Sequence, residues 1–162
     1  MSLPLTGGCL CGNIRFSAAK PPARTLVCHC TFCQRMTGST SYAEAMFPVA
    51  DVHFTGGSLR RYAHTSDTSG QKVYVEFCPE CGTTVGLGFE RWPDMRAISR
   101  GCLDDPDAVE ITANIWTRSA QSGVPLPAGI DCFLQARATL DGQAIVPERF
   151  DAPVMPRRPG DA

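Results

Sequence analysis

The sequence has little of what a membrane protein or a nucleic-acid-binding protein needs. Its longest apolar runs are only a few residues, far short of the roughly 20 that a transmembrane helix requires. Lys and Arg number 15 against 16 Asp and Glu, so the formal net charge is −1 and no strong field would attract nucleic acid or an anionic membrane. Residues 1–6 lack the basic start and apolar run of a secretory signal. We therefore expect a cytoplasmic protein that binds neither membranes nor nucleic acids.

Helical periodicity is also scarce, and short β-rich segments separated by Gly, Pro, Asp and Ser recur instead. We predict one helical turn around residues 32–36, ended by Gly38, and a second turn beginning near Pro106. From residue 146 to residue 162 the chain is rich in Pro and Arg, which predicts a flexible C-terminal tail. The main body is predicted to be a mainly β domain. Its candidate strands are residues 13–18, 24–28, 40–46, 59–63, 72–77, 83–89, 95–100 and 110–116.

The nine cysteines are clustered, and in a reducing compartment such clusters indicate metal ligands before disulfides. The first and third clusters, Cys9-Leu10-Cys11-Gly12 and Cys78-Pro79-Glu80-Cys81-Gly82, both end in Cys-Gly. A glycine there permits a positive φ, so that the following N–H groups can point at the sulfur. Together they supply four thiolates, the ligand set of a structural zinc site. A redox pair at Cys78 and Cys81 is the alternative, but no thioredoxin-like βαβ pattern surrounds it.

The middle cluster, Cys28-His29-Cys30-Thr31-Phe32-Cys33, has three thiols within six residues. Three protein ligands leave one coordination position of zinc open, which is typical of catalytic sites. Zinc readily accepts a further thiolate, so the cluster suits a sulfur substrate.

Other interpretations of the middle cluster remain open. It could be a second structural site completed by Cys102, Cys132 or a histidine, or a redox-sensitive cluster without metal. A zinc deaminase is set aside, because the glutamate of that motif is absent beside the ligand. Since alternate side chains of an extended segment point in opposite directions, we expect His29 not to be a ligand but to lie at the surface or directly behind the ligands. Cys102 and Cys132 are expected to pack in the core, with Cys102 a minor candidate for facing the open zinc.

Four motifs together resemble the CENP-V/GFA family of glutathione-dependent formaldehyde-activating enzymes. They are the first cluster from Gly8 to Gly12, the middle cluster with Gly38-Ser39, the third cluster, and Gly101-Cys102-Leu103-Asp104-Asp105-Pro106. The resemblance covers roughly residues 5 to 120.

The resemblance implies a β-tent-like fold of small antiparallel sheets with few short helices, over residues 5–140, that holds two zinc ions. It assigns Cys9, Cys11, Cys78 and Cys81 to a structural zinc, and Cys28, Cys30 and Cys33 to a catalytic zinc. It also implies a carbon–sulfur lyase that combines glutathione with formaldehyde, or the reverse. The chain departs from the family pattern at Asn114, where the pattern has histidine, and at Ser122 and Gly123, where it has proline and tryptophan.

Two functional hypotheses follow from the sequence. The first is a zinc-dependent lyase acting on a thiol adduct, in which Arg35 is a candidate for binding a substrate carboxylate. Asp104 and Asp105 are candidates for acid–base work or for capping a turn. The second is a zinc-stabilised interaction module without chemistry, and it requires the middle site to be closed by a fourth ligand or empty.

Overall fold

The computed structural model describes residues 3–156, in which eleven strands and one α-helix are formed. The helix is α1 (Thr31–Thr37). The strands are β1 (Leu5–Gly8), β2 (Ile14–Ala18), β3 (Arg24–Cys28), β4 (Tyr42–Pro48), β5 (Val52–Gly56), β6 (Arg60–Thr65), β7 (Lys72–Phe77), β8 (Thr84–Phe89), β9 (Met95–Ser99), β10 (Ala113–Ile115) and β11 (Asp131–Cys132). The predicted mainly β class is therefore confirmed. Within this part of the chain, no helix has the length and apolarity of a membrane span.

Eight of the strands correspond to predicted segments, and two of these have the predicted bounds. Strands β3 and β7 have the predicted bounds, and the other predicted segments correspond to β2, β4, β6, β8, β9 and β10 with shifted ends. Strands β1, β5 and β11 were not predicted. Two of them contain glycine, which has a low β-propensity, and the third is only two residues long. Their pairing depends on tertiary neighbours rather than on local preference.

The chain divides into two compact units, and unit 1 consists of residues 3–25 and 44–110. It contains a three-stranded antiparallel sheet in the order β1-β2-β5 and an antiparallel run in the order β4-β9-β8-β7-β6. Buried side chains from both, among them Ile14, Phe47 and Ile98, form one core. The thiols of Cys9 and Cys78 belong to the same core, so the first and third cysteine clusters are anchored in unit 1.

One buried charge in unit 1 is not apparent from the strand pattern. Glu76 on β7 is only 1% exposed, and Arg61 Nη2 and Arg96 Nε lie 2.6 and 3.1 Å from its two carboxylate oxygens. Two cations offset the desolvation of one carboxylate, which is the condition for keeping a charge in a core.

Unit 2 consists of residues 26–43 and 111–156. Strand β10 pairs in parallel with both β3 and β11, an arrangement that the sequence did not indicate. Helix α1 follows β3 after two residues. The Cys30 side chain caps its N-terminus by accepting the Cys33 N–H, and Gly38 ends it in the left-handed region with φ of 62°. The end predicted at Gly38 is therefore confirmed.

The predicted flexible tail, residues 146–162, falls partly outside the described residues, which stop at 156. Within residues 146–156, the backbone of Glu148 exchanges two hydrogen bonds with Cys132, and that of Val154 exchanges two with Leu126. Arg149 also forms an ion pair with Asp131. These contacts tie the described part of the segment to unit 2, and the flexibility of the tail stays a prediction.

Candidate metal centres

The first candidate centre lies in unit 1 and combines two distant turns of the chain. The Sγ atoms of Cys9, Cys11, Cys78 and Cys81 all lie within 4.8 Å of one another. Cys11 Sγ is 3.5 Å from Cys9 Sγ and 3.8 Å from Cys78 Sγ. Two sulfurs on a tetrahedral zinc with 2.3 Å bonds are about 3.8 Å apart. The four thiols therefore fit a zinc ion in both chemistry and spacing.

Both turns have the backbone that the Cys-Gly pattern predicts. Gly12 and Gly82 adopt φ of 76° and 73°, which side-chain-bearing residues rarely do. Their N–H groups donate to the carbonyls of Cys9 and Cys78, both at 3.0 Å. The Ile14 N–H then points at Cys9 Sγ at 3.2 Å, so that a main-chain donor disperses charge on the sulfur.

The surroundings of this centre favour thiolates at two positions. Hydrogen bonds from the Thr83 hydroxyl and the Thr83 and Cys11 N–H groups lower the pKa of Cys81 to about 5. Burial opposes ionisation of Cys9, but the Ile14 N–H and the Cys11 and Cys78 thiols outweigh it and lower the pKa of Cys9. Because thiolates are the form that binds metal, these donors prepare the site for a cation.

The second candidate centre lies in unit 2 and is built from one short segment. Cys28 ends β3, Cys30 caps α1 and Cys33 lies in its first turn, so a strand end and a helix start bring three Sγ atoms within 4.8 Å of one another. Hydrogen bonds from the Cys28 and Cys33 thiols, and from the Cys33 and Phe32 N–H groups, lower the pKa of Cys30 to about 3. Among residues 3–156, no fourth Cys, His, Asp or Glu joins this group.

His29 is not one of the close metal-ligating groups, as expected, but of the two places considered for it, the surface and the layer behind the ligands, the surface is wrong. His29 is 2% exposed, and its Nε2 lies 2.9 Å from Oδ1 of Asn114, which is itself 3% exposed. The segment turns into α1 directly after β3, so the simple alternation of a strand does not apply to it. The sequence did single out Asn114, since this residue stands where the family pattern has histidine. Only the structure pairs it with His29.

The two remaining cysteines belong to neither group of close thiols in the described chain. Cys102 lies in unit 1 with its thiol 3.5 Å from the Thr84 carbonyl oxygen, and burial raises its pKa to about 11. Cys132 is buried on β11, where burial raises its pKa. Both agree with the predicted packing role.

Asp104 and Asp105 have structural partners. Asp104 accepts hydrogen bonds from the Arg15 guanidinium and from Thr6 Oγ1, and Arg15 is the main reason that its pKa is lowered. Asp105 caps the 3₁₀ turn Pro106–Ala108 by accepting the Asp107 N–H. The capping role considered for this segment therefore fits Asp105.

Helix α1 carries Arg35 and, directly before it, Gln34, a residue whose role the sequence did not indicate. The Gln34 amide nitrogen donates to the carbonyls of His29 and Ser119, at 2.7 and 2.9 Å, and Gln121 donates to the Gln34 side-chain oxygen at 2.9 Å. Gln34 thus ties the cysteine segment to residues 119–121. No motif signals such a residue, because the contact joins positions about 85 apart in the sequence.

Taken together, fold and sites define a mainly β protein with two thiol clusters that could each hold a metal ion. The family model of the glutathione-dependent formaldehyde-activating enzyme, GFA, matches residues 4–119. The chain therefore belongs to the GFA family, which confirms the resemblance of its motifs.

One relative agrees with this assignment, and one solved structure shares the fold. A Halomonas elongata protein named "Putative glutathione-dependent formaldehyde-activating enzyme" is 28% identical over 94 residues, which cover 56% of this chain. The match spans 60% of that relative's length. The crystal structure of a Rhodobacter sphaeroides protein has a TM-score of 0.50 at 23% identity, covering 65% of this chain and 96% of that one. This second likeness shows a shared fold.

Proposed function

We propose that this protein is a zinc-dependent carbon–sulfur lyase that forms S-hydroxymethylglutathione from glutathione and formaldehyde, or cleaves it. In the forming direction the thiol sulfur bonds to the carbonyl carbon and the carbonyl oxygen gains the proton that the thiol releases. Nothing is oxidised or reduced. The nine free thiols favour a reducing compartment, and we place the protein in the cytoplasm.

The contrast between the two ligand sets carries this proposal. The set Cys9, Cys11, Cys78 and Cys81 satisfies a tetrahedral ion completely, whereas the set Cys28, Cys30 and Cys33 supplies three of four ligands. Four protein ligands are typical of structural zinc, and three are typical of catalytic zinc. Membership of the GFA family supports the same division.

Each residue of the three-thiol site has a distinct contribution. Cys28, Cys30 and Cys33 would hold a zinc ion, which would supply a Lewis acid for a substrate thiol and a small carbonyl electrophile. Cys30 supplies the most acidic of the three thiols. Cys28 supplies a second thiol from the end of β3, and Cys33 supplies a third from the first turn of α1. The buried His29–Asn114 hydrogen bond joins this segment to β10, which limits its movement.

The first experiment measures metal content and thiol binding on protein purified under reducing conditions. We expect two zinc ions per chain, and after cobalt substitution we expect added glutathione to change the spectrum of one of them. NMR exchange measurements on glutathione and formaldehyde should then show adduct formation faster than the uncatalysed rate. One zinc per chain, or two without any response to thiols, would favour a non-catalytic zinc module.

A matched pair of substitutions tests the role of the middle cluster. Cys30→Ser should lower the catalysed rate by about 100-fold or more, because losing a ligand costs at least as much as losing a residue behind a ligand, which costs up to about 100-fold. Far-UV circular dichroism should stay unchanged, because the core is intact. Cys132→Ser changes the same kind of side chain in the same unit, outside the cluster, and should retain activity. Unfolding of the Cys30→Ser protein would instead mean that the middle site is structural.

A further inference from the structure

A polar cleft opens beside the three-thiol cluster in unit 2. It has a volume of about 600 Å³, and its lining includes Thr31, Arg35, Ser39, Thr40 and Gln121. Thr31 directly follows Cys30, so the cleft begins one residue after the second thiol of the cluster. Hydroxyl, amide and guanidinium groups dominate this wall. Such a lining fits a polar ligand that carries amide or acid groups.

The wall of the cleft is held in place by Gln34. Both of its amide protons and its side-chain oxygen are used, in hydrogen bonds to His29, Ser119 and Gln121. This clamp fixes the orientation of α1 against residues 119–121. Arg35 is the next residue, exposed and at the cleft, so its guanidinium stands on a helix that is already positioned.

Arg35 is a cation with no acidic partner in the described part of the chain. Residues 26–43 and 111–130, which build this part of unit 2, contain no Asp or Glu and two arginines, Arg35 and Arg118. Arg118 stacks over the Trp116 ring with 5.0 Å to its centroid. Arg35 forms no ion pair with any residue between positions 3 and 156. The cleft therefore presents one positive charge that no group within the described chain neutralises.

We propose that this cleft is a carboxylate subsite, in which Arg35 binds the acid group of a small polar thiol and so selects acidic thiols over neutral ones. The proposal rests on the proposed function, since it names the substrate class of the same site. A guanidinium pairs with a carboxylate through two parallel hydrogen bonds, which gives both affinity and orientation. The carboxylate in the cleft and the sulfur at the three thiols would fix the substrate at two points.

The test uses S-methylglutathione, whose sulfur is capped and cannot add to formaldehyde, so that binding is measured apart from chemistry. Titration calorimetry on the zinc-loaded protein should show a Kd at least about tenfold higher for Arg35→Gln than for wild type, because a charge-assisted hydrogen bond is lost. Arg35→Lys should restore part of the affinity. The diethyl ester of the same compound should bind wild type and Arg35→Gln equally.

Arg60→Gln is the matched control, since Arg60 is an exposed arginine on β6 of unit 1, and it should leave the Kd unchanged. No binding by wild type, an unchanged Kd in Arg35→Gln, or an equal loss with the ester would overturn the subsite. Binding that depends on Arg35 without adduct formation would keep the subsite and reject the lyase. Adduct formation with the same KM for glutathione in wild type and Arg35→Gln would keep the lyase and reject the subsite.

Discussion

The two cysteine clusters use the same kind of ligand but are built in opposite ways. In unit 1, four thiols come from turns about 70 residues apart, and two of them, Cys9 and Cys78, are part of the hydrophobic core. In unit 2, three thiols come from six consecutive residues at a strand–helix junction. A metal in the first cluster therefore links distant parts of a unit, whereas a metal in the second needs only local structure.

This difference predicts that the two clusters depend on the fold to different degrees. The unfolded chain rarely brings residues 9–11 and 78–81 together, so the binding free energy of the first cluster contributes to folding. The second cluster is formed by the junction of β3 and α1, and residues further away act mainly through Gln34 and Asn114. We infer that a metal in the first cluster stabilises the fold of unit 1, whereas a metal in the second cluster is available to bind a ligand.

The largest expected effect separates the two clusters by stability. Cys78→Ser should abolish cooperative unfolding of unit 1, because zinc binding in structural thiolate sites of peptides amounts to about 10–16 kcal/mol. Cys30→Ser should lower the free energy of unfolding by less than about 3 kcal/mol, the ordinary range for single substitutions. Urea unfolding of both variants, followed by circular dichroism, measures the difference. Equal losses in the two variants would remove the distinction between a structural and a functional cluster.

A smaller effect concerns Gly82, which directly follows Cys81, and Gly38, which ends α1 five residues after Cys33. Gly82 and Gly38 adopt φ of 73° and 62°, and a Cβ at either position would meet no atom within 4 Å. Alanine should therefore cost only the strain of the left-handed region, about 1–2 kcal/mol. Competition with a chromophoric chelator should show weaker zinc binding, by about tenfold, at the first cluster in Gly82→Ala and at the second in Gly38→Ala.

Gly70→Ala is the control for both glycine substitutions. Its φ is 71° and its surroundings are equally open, so it carries the same backbone strain away from either cluster. It should lower stability by a similar amount and leave both zinc affinities unchanged. If Gly70→Ala weakened zinc binding as much as the other two, the effect would be general strain rather than a change in the turn after Cys81 or in the helix that carries Cys33.

The smallest expected effect comes from Asp104, which joins β1 and β2 next to the first cluster through Thr6 and Arg15. Its folded-state pKa is lowered from 3.8, chiefly by Arg15. The stability it adds is therefore present above the unfolded pKa and lost as the pH falls through the lower folded pKa. Both partners are nearly half exposed, so solvent screening limits the contribution to about 1 kcal/mol or less.

Urea unfolding of Asp104→Asn against wild type should show a small, constant deficit between about pH 5 and pH 8, because the carboxyl stays ionised throughout that range. The metal affinity of the second cluster should not change. A deficit that grew or vanished within this range would mean that another group titrates with Asp104.

Much of the candidate metal chemistry was predictable because it is local in the sequence. The spacing of Cys28, Cys30 and Cys33 and the glycine after Cys81 indicate ligands and turn geometry without any tertiary information. The end of α1 at Gly38 is local for the same reason. Burial of Glu76 and His29 was not predictable, since each depends on partners from other strands, Arg96 on β9 and Asn114 on β10.

The sequence by itself determined the mainly β class, the GFA family and the two sets of thiols, since residue types at short spacings carry that information. Tertiary structure alone decided which side chains surround them. It paired β10 in parallel with β3, which brought Asn114 to His29, and it brought Ser119 and Gln121 to Gln34, which formed the cleft at Arg35. Those contacts join residues about 85 positions apart, and the physical reason is that strand pairing and packing, rather than local preference, choose such neighbours.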